Sequence, residues 1–118
     1  GLSEEAKTID KILSQHFEVV SVCCKVCALE KKTFDLETVS SNEHEVMCNP
    51  AGQAALLNQV ETELNILCGL CVGHDAILAK TSDAPVITLI AKDRVLAHNP
   101  AGAIYSRYLR KTLLNENA

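Results

Sequence analysis

The feature that most constrains the fold is an alternation of strand-like and helix-like segments along the chain. Runs of aliphatic and β-branched residues, typical of buried strands, occupy residues 17–24, 64–70 and 84–91. Helix-like segments begin near residues 3, 50, 74 and 100. Short apolar strands that alternate with helices are typical of a parallel sheet covered by helices. The pattern therefore predicts an α/β fold, a three-layer αβα arrangement with a small parallel sheet, Rossmann-like or flavodoxin-like.

Capping residues mark the predicted helix starts. Ser3 precedes two glutamates and is expected to cap the first helix, which should end near His16. Asn-Pro occurs twice, at residues 49–50 and 99–100, and each pair is expected to begin a helix. A cysteine precedes the first pair and a histidine precedes the second. This repeated motif indicates either two similar helix starts or two metal ligands.

The size of the chain sets its organisation. We expect residues 1–118 to form a single α/β domain, because the length suits one core. Three strands are few for four helices, so we also expect a missing N-terminal strand and a chain that is the C-terminal part of a longer protein. A homo-oligomer or a partner segment would then complete the sheet.

Composition excludes several classes of partner. The chain has a net charge of −4, no Trp, two Phe and two Tyr, which argues against nucleic-acid binding. No apolar run approaches the roughly 20 residues that span a bilayer, so we expect no membrane segment. Six cysteines lie within or beside apolar segments of a chain that is 47% hydrophobic. This placement favours reduced thiols and a cytoplasmic protein over a disulfide-stabilised secreted one.

The cysteines follow the ends of the predicted strands. Sites in parallel sheets form at the carboxyl ends of the strands, and two of the three ends here carry cysteine. Side chains alternate along a strand, so Cys68 and Cys71 should point to opposite faces, and Cys68 is expected to pack as a small apolar residue. The predicted metal site consists of Cys24, Cys48, Cys71, His74 and His98.

Thiolates with imidazole are suitable ligands for zinc or an iron–sulfur cluster. Charged residues at the same edge could bind an anionic substrate: Lys25, Asp75, Lys92, Asp93 and Arg94. His16 and His44 lie in polar surroundings and are assigned no role.

Several of these segments resemble one known family. Residues 22–26, 47–50, 69–75, 84–95 and 98–100 are similar to the prokaryotic family called domain of unknown function 1847, whose members are often labelled metal-binding proteins. The resemblance implies a longer protein with a preceding strand and an N-terminal cysteine-rich segment. It implies no defined reaction. Cys27 and Cys68 stand where the family resemblance implies small or aliphatic residues.

Three functions remain open from the sequence. The first is a metal- or iron–sulfur-binding protein with its site at the carboxyl-terminal edge of the sheet. The second is an enzyme for a small anionic substrate, with Cys71 as nucleophile and His74 as base. The third is a structural or oligomerisation domain in which the thiols pack.

Overall fold

The computed structural model describes residues 2–38 and 45–116 and shows a mixed fold of helices and strands. His44 therefore lies outside the described residues. In chain order the elements are α1 (Ser3–Leu13), two short 3-10 helices (Val26–Ala28 and Lys31–Phe34), α2 (Pro50–Gln59), β1 (Asn65–Cys68), α3 (His74–Thr81), β2 (Val86–Ile90), α4 (Gly102–Tyr105) and α5 (Arg107–Leu113). None of the helices in the described part of the chain is long and apolar enough to cross a membrane.

A small parallel sheet joins β1 and β2. Asn65 lies opposite Val86, and the ladder ends where the Gly69 amide donates to the Ile90 carbonyl at 2.8 Å. α3 lies between the two strands in the chain, as a parallel pair requires a crossover connection. The second and third predicted strands and the parallel sheet are thus confirmed, with shorter bounds.

The core lies on one face of this sheet. Ala54 of α2, Leu67 of β1 and Leu78 of α3 pack together, and Leu78 is only 1% exposed. On the other face Ile87 and Leu89 of β2 are at least half exposed. The expected three-layer arrangement is not confirmed, because α2 and α3 cover one face while apolar side chains on the other remain accessible.

The predicted first strand is wrong. Residues 17–24 form no strand, because their backbone pairs with the start of α2 instead of with a neighbouring strand. Gln53 donates from its side-chain nitrogen to the Val22 carbonyl at 3.0 Å, and the Asn49 amide donates to the Cys24 carbonyl at 2.7 Å. This pairing places the end of the segment beside the residue that precedes α2.

The predicted helix caps have mixed outcomes. Asn49 caps α2, with its side-chain oxygen accepting from the Gly52 amide at 2.9 Å. Ser3 is the first residue of α1, and its predicted capping role is wrong because Leu2 occupies the cap position. Asn99 is not the cap of α4 either, since Ala101 precedes that helix. Ser106 divides the predicted last helix in two by capping α5.

The two Asn-Pro sites provide a matched test of capping. Replacing Asn49 with alanine is expected to lower the free energy of unfolding by about 1 kcal/mol, since the Gly52 amide loses its acceptor. Asn99→Ala should change it by less than about 0.5 kcal/mol, because Asn99 caps no helix in the described chain. Urea denaturation of both variants measures the difference in stability. Equal losses would contradict the assignment of a capping role to Asn49 and not to Asn99.

A carboxylate on α1 holds the segment that follows the helix. Ser21 and Ser14 both donate hydroxyl hydrogen bonds to Asp10, and these bonds lower the pKa of the Asp10 carboxyl, with Ser21 the larger cause. A lowered folded-state pKa contributes stability above the unfolded value and loses it as pH falls through the folded value.

We expect Ser21→Ala to raise the pKa of Asp10 toward its ordinary value, because the stronger of the two hydrogen bonds to the carboxylate is removed. An NMR pH titration of the Asp10 carboxyl carbon measures this shift. Ser3→Ala, at an exposed helical position, is the control. An unchanged Asp10 pKa in Ser21→Ala would show that the hydrogen bond does not form in solution.

Candidate metal centre

A cavity of about 220 Å³ lies beyond the carboxyl ends of β1 and β2. Its lining comes from four separate parts of the chain that only the fold brings together: Cys24, Lys25, Cys48, Gly69, Leu70, Cys71, His74, Lys92 and Arg94. The location agrees with the expectation that parallel sheets build their sites at this edge. Four of the five predicted metal ligands line this one cavity.

The backbone pairing before α2 brings Cys24 and Cys48 together. Cys48 immediately precedes the capping residue Asn49, whose amide is bonded to the Cys24 carbonyl. The Cys24 side chain is near enough to raise the pKa of the Cys48 thiol. Two cysteines separated by 23 intervening residues in the chain therefore line the same cavity.

The turn between β1 and α3 supplies a further part of the lining. Gly69 has a φ of +71°, and a Cβ there would lie 2.5 Å from the Leu2 side chain, so only glycine allows the chain to leave β1 along this path. Cys71 follows in the turn, and its carbonyl accepts from the His74 amide at 3.0 Å at the start of α3. Lys92, from beyond β2, points its ammonium nitrogen at the Cys71 sulfur at 3.5 Å.

Burial and neighbouring groups change the pKa of the Cys48 thiol. Burial raises the pKa of the Cys48 thiol, the nearby Cys24 and Cys71 raise it further, and Lys25 opposes them. Cys48 is therefore expected to keep its proton in the metal-free protein at neutral pH. A metal ion that binds here must displace that proton, as thiolate ligation requires.

The remaining predicted residues lie elsewhere. His98 does not line the cavity, and its Nδ1 accepts from the Asp93 amide at 3.0 Å. Cys68 is also outside it, partly buried, and burial together with Glu5 raises the pKa of its thiol. Cys23 and Cys27 are exposed. All six thiols are unpaired by disulfides.

The donors are near one another but are not arranged as a preformed site. Within residues 2–38 and 45–116, no group of three His, Cys, Asp or Glu side chains is placed closely enough to hold a metal ion. The types of donor fit a thiolate-binding metal, but the side chains must turn toward a common centre before they can share one ion. Binding would therefore involve a local rearrangement of Cys24 and Cys48.

Comparison with known proteins identifies the family. Residues 1–89 match the family described as "Protein of unknown function (DUF1847)". The chain belongs to this family. It is 57% identical over 114 residues to a protein of Methanocaldococcus jannaschii named "Uncharacterized protein MJ0455". That alignment covers 97% of this chain and 59% of the relative, so the chain spans about three fifths of the relative's length. No solved structure matches the chain.

The DUF1847 match includes all four of the predicted ligands that line the cavity, His74 among them. Cys24, Cys48 and Cys71 all fall within residues 1–89, whereas Lys92 and Arg94 lie beyond the matched range. The alignment with the archaeal relative extends over nearly the whole chain and is long enough to include both parts.

Proposed function

We propose that this member of the DUF1847 family binds a metal ion or an iron–sulfur cluster through Cys24, Cys48 and Cys71, with His74 as a further ligand. The observation that carries the proposal is the shared cavity, into which three separate chain segments bring these four residues. Thiolate and imidazole ligands together select zinc or iron–sulfur chemistry over the oxygen-preferring cations. His98 is left out of this ligand set because it does not line the cavity.

The cavity lining contains three cysteines and one histidine, which is a complete ligand set for zinc. The three cysteines and His74 together complete four-coordinate binding, as in structural zinc sites. His74 begins α3, at a helix N-terminus where a bound anion or thiolate is stabilised.

The chain offers a matched test with its six cysteines divided into two sets of three. Reduced, anaerobic protein is titrated with Co²⁺, and in a second arm is reconstituted with iron and sulfide. We expect thiolate charge-transfer absorption at one metal centre per chain. The Cys24→Ser, Cys48→Ser, Cys71→Ser triple variant should lose it, whereas the Cys23→Ser, Cys27→Ser, Cys68→Ser triple variant should keep it. If neither arm yields a stoichiometric thiolate complex, the protein is not a metal-binding protein of this kind.

A second candidate function rests on the contact between Lys92 and Cys71. An ammonium group 3.5 Å from the sulfur is placed to stabilise a thiolate by a charge-assisted hydrogen bond. Cys71 would then act as a nucleophile, and iodoacetamide should alkylate it faster than the other five cysteines. Peptide mass spectrometry after brief alkylation of metal-free protein decides this, and uniform labelling of the exposed thiols would exclude the nucleophile.

We also propose that further residues cover the exposed face of the sheet. The radius of gyration is 16.9 Å, against about 13.5 Å for a compact domain of this length. Ile87 and Leu89 are exposed on a sheet face that helices cover in three-layer folds. Because the archaeal relative is longer than this chain, we assign the cover to additional residues of the full-length protein, in a reducing compartment such as the cytoplasm.

Hydrogen exchange tests this cover. Amides of β2 should exchange more slowly in a full-length family member than in the 118-residue chain at the same pH and temperature. If the short chain instead forms a stable dimer that protects β2 to the same degree, a second copy provides the cover and the assignment to additional residues is wrong.

A further inference from the structure

The cavity has a second chemical character besides its thiols. Its nine lining residues include three basic side chains, Lys25, Lys92 and Arg94, and no carboxylate. This concentration of positive charge occurs in a chain whose net charge is −4. A concave, cationic site in an acidic protein attracts anions, because its walls focus the field.

The nearby carboxylates do not neutralise these cations. The Asp75 side chain accepts from the Gly73 and Ala76 amides, both at 2.9 Å, and so is used in forming the start of α3. Asp93 accepts from the Val95 amide at 3.0 Å in its own turn. Within the described residues, neither Lys92 nor Arg94 forms a salt bridge with a carboxylate.

When a divalent metal ion is bound by the three thiolates, the cavity still carries a net positive charge. Three thiolates around a divalent ion carry one net negative charge, which the three cations outweigh by two. If the thiols are protonated and no metal is bound, the excess of positive charge is larger. A small dianion would balance the loaded cavity and would leave one positive charge in the metal-free cavity. The cavity volume is several times the roughly 30 Å³ of one liquid water.

We propose that the cavity binds a tetrahedral oxyanion, held by Lys25, Lys92 and Arg94, beside the metal where one is bound. The inference extends the proposed function by naming the class of ligand that the site accepts. Arg94 can present two parallel N–H groups to such an oxyanion, and the lysines add point charges. The oxyanion can be free phosphate or the phosphate group of a small monoester, which share this chemistry.

Isothermal titration calorimetry with two probes tests the inference. Orthophosphate and glycerol phosphate are each titrated into metal-free protein and into protein loaded with one equivalent of Zn²⁺ and desalted. We expect one anion per chain, and a Kd raised about tenfold or more in Lys92→Gln and in Arg94→Gln. Lys80→Gln removes the same charge from an exposed position on α3 and should leave the Kd unchanged.

The outcomes separate this inference from the metal proposal. Tighter binding of orthophosphate identifies a free oxyanion as the ligand, and tighter binding of glycerol phosphate identifies a monoester. Failure of both probes, or equal affinity in the three variants, overturns the inference even if Zn²⁺ binds through the cysteines. Anion binding that requires Arg94 but occurs without any metal uptake supports the inference while the proposed metal centre fails. Circular dichroism of each variant confirms that it is folded.

Discussion

Cys48→Ser is expected to weaken Zn²⁺ binding by about 100-fold. Structural zinc sites bind with roughly 10–16 kcal/mol, so the loss of one of four ligands removes about 3 kcal/mol. Cys24 and Cys71 both raise the pKa of the Cys48 thiol, so Cys48 lies near the other two proposed thiol ligands. Competition with a chromophoric chelator at fixed pH measures the affinity.

Cys68→Ser serves as the matched control for this prediction. Cys68 is partly buried like Cys48, and burial raises its thiol pKa in the same way, but it lies outside the cavity. Its replacement should change the Zn²⁺ affinity by less than about threefold. Equal losses in the two variants would mean that zinc binds to dispersed thiols rather than to the cavity.

Leu78→Ala is expected to lower the free energy of unfolding by about 2–5 kcal/mol. Leu78 is the largest fully buried side chain in the described part of the chain, and it packs against Ala54 and Leu67. Few other residues can compensate, because the buried apolar cluster is small. Since domains of this size are stable by only about 5–15 kcal/mol, the variant should be close to unfolding at room temperature.

Urea denaturation followed by circular dichroism measures this loss, and Ile77→Ala on the same helix is its control. Ile77 is 46% exposed, so its truncation should cost less than about 1 kcal/mol. A similar shift of the denaturation midpoint in both variants would show that the α2–α3 packing is not the core of the protein.

Two of the strands could be predicted from the sequence because each is an apolar run bounded by turn residues. β1 and β2 combine aliphatic runs with clear turn residues, and the predicted Asn49 cap depends only on its near neighbours. Residues 17–24 have the same aliphatic character but form no strand, since their backbone partners come from the start of α2. Strand propensity describes a surface suited to packing and does not determine the partner.

The sequence predicted most of the residues that line the candidate site, but it did not predict how they are arranged. Strand alternation separated Cys71 from Cys68, and the structure places only Cys71 at the cavity. The proximity of Cys24 to Cys48 depends on the Asn49 amide binding the Cys24 carbonyl, a long-range pairing without a sequence signal. His98 was predicted from its resemblance to Cys48 before an Asn-Pro pair, but its ring bonds to the Asp93 amide of its own turn.

The acidic and basic residues at this edge of the sheet differ in where their side chains lie. Lys25, Lys92 and Arg94 line the cavity, whereas the Asp75 and Asp93 carboxylates bind amides near their own positions. Short acidic side chains beside turns tend to form such local bonds, and long basic side chains extend farther from the backbone. The sequence showed both signs of charge at the sheet edge, and only the fold separates them.

X-ray absorption at the zinc edge of the loaded, 118-residue protein tests the central claim most directly, because it counts the sulfur atoms around the metal. We predict three sulfur neighbours at about 2.3 Å, with nitrogen or oxygen in the remaining position. The Cys48→Ser variant should show at most two. A first shell composed only of nitrogen and oxygen, at about 2.0–2.1 Å, would contradict a thiolate centre at Cys24, Cys48 and Cys71.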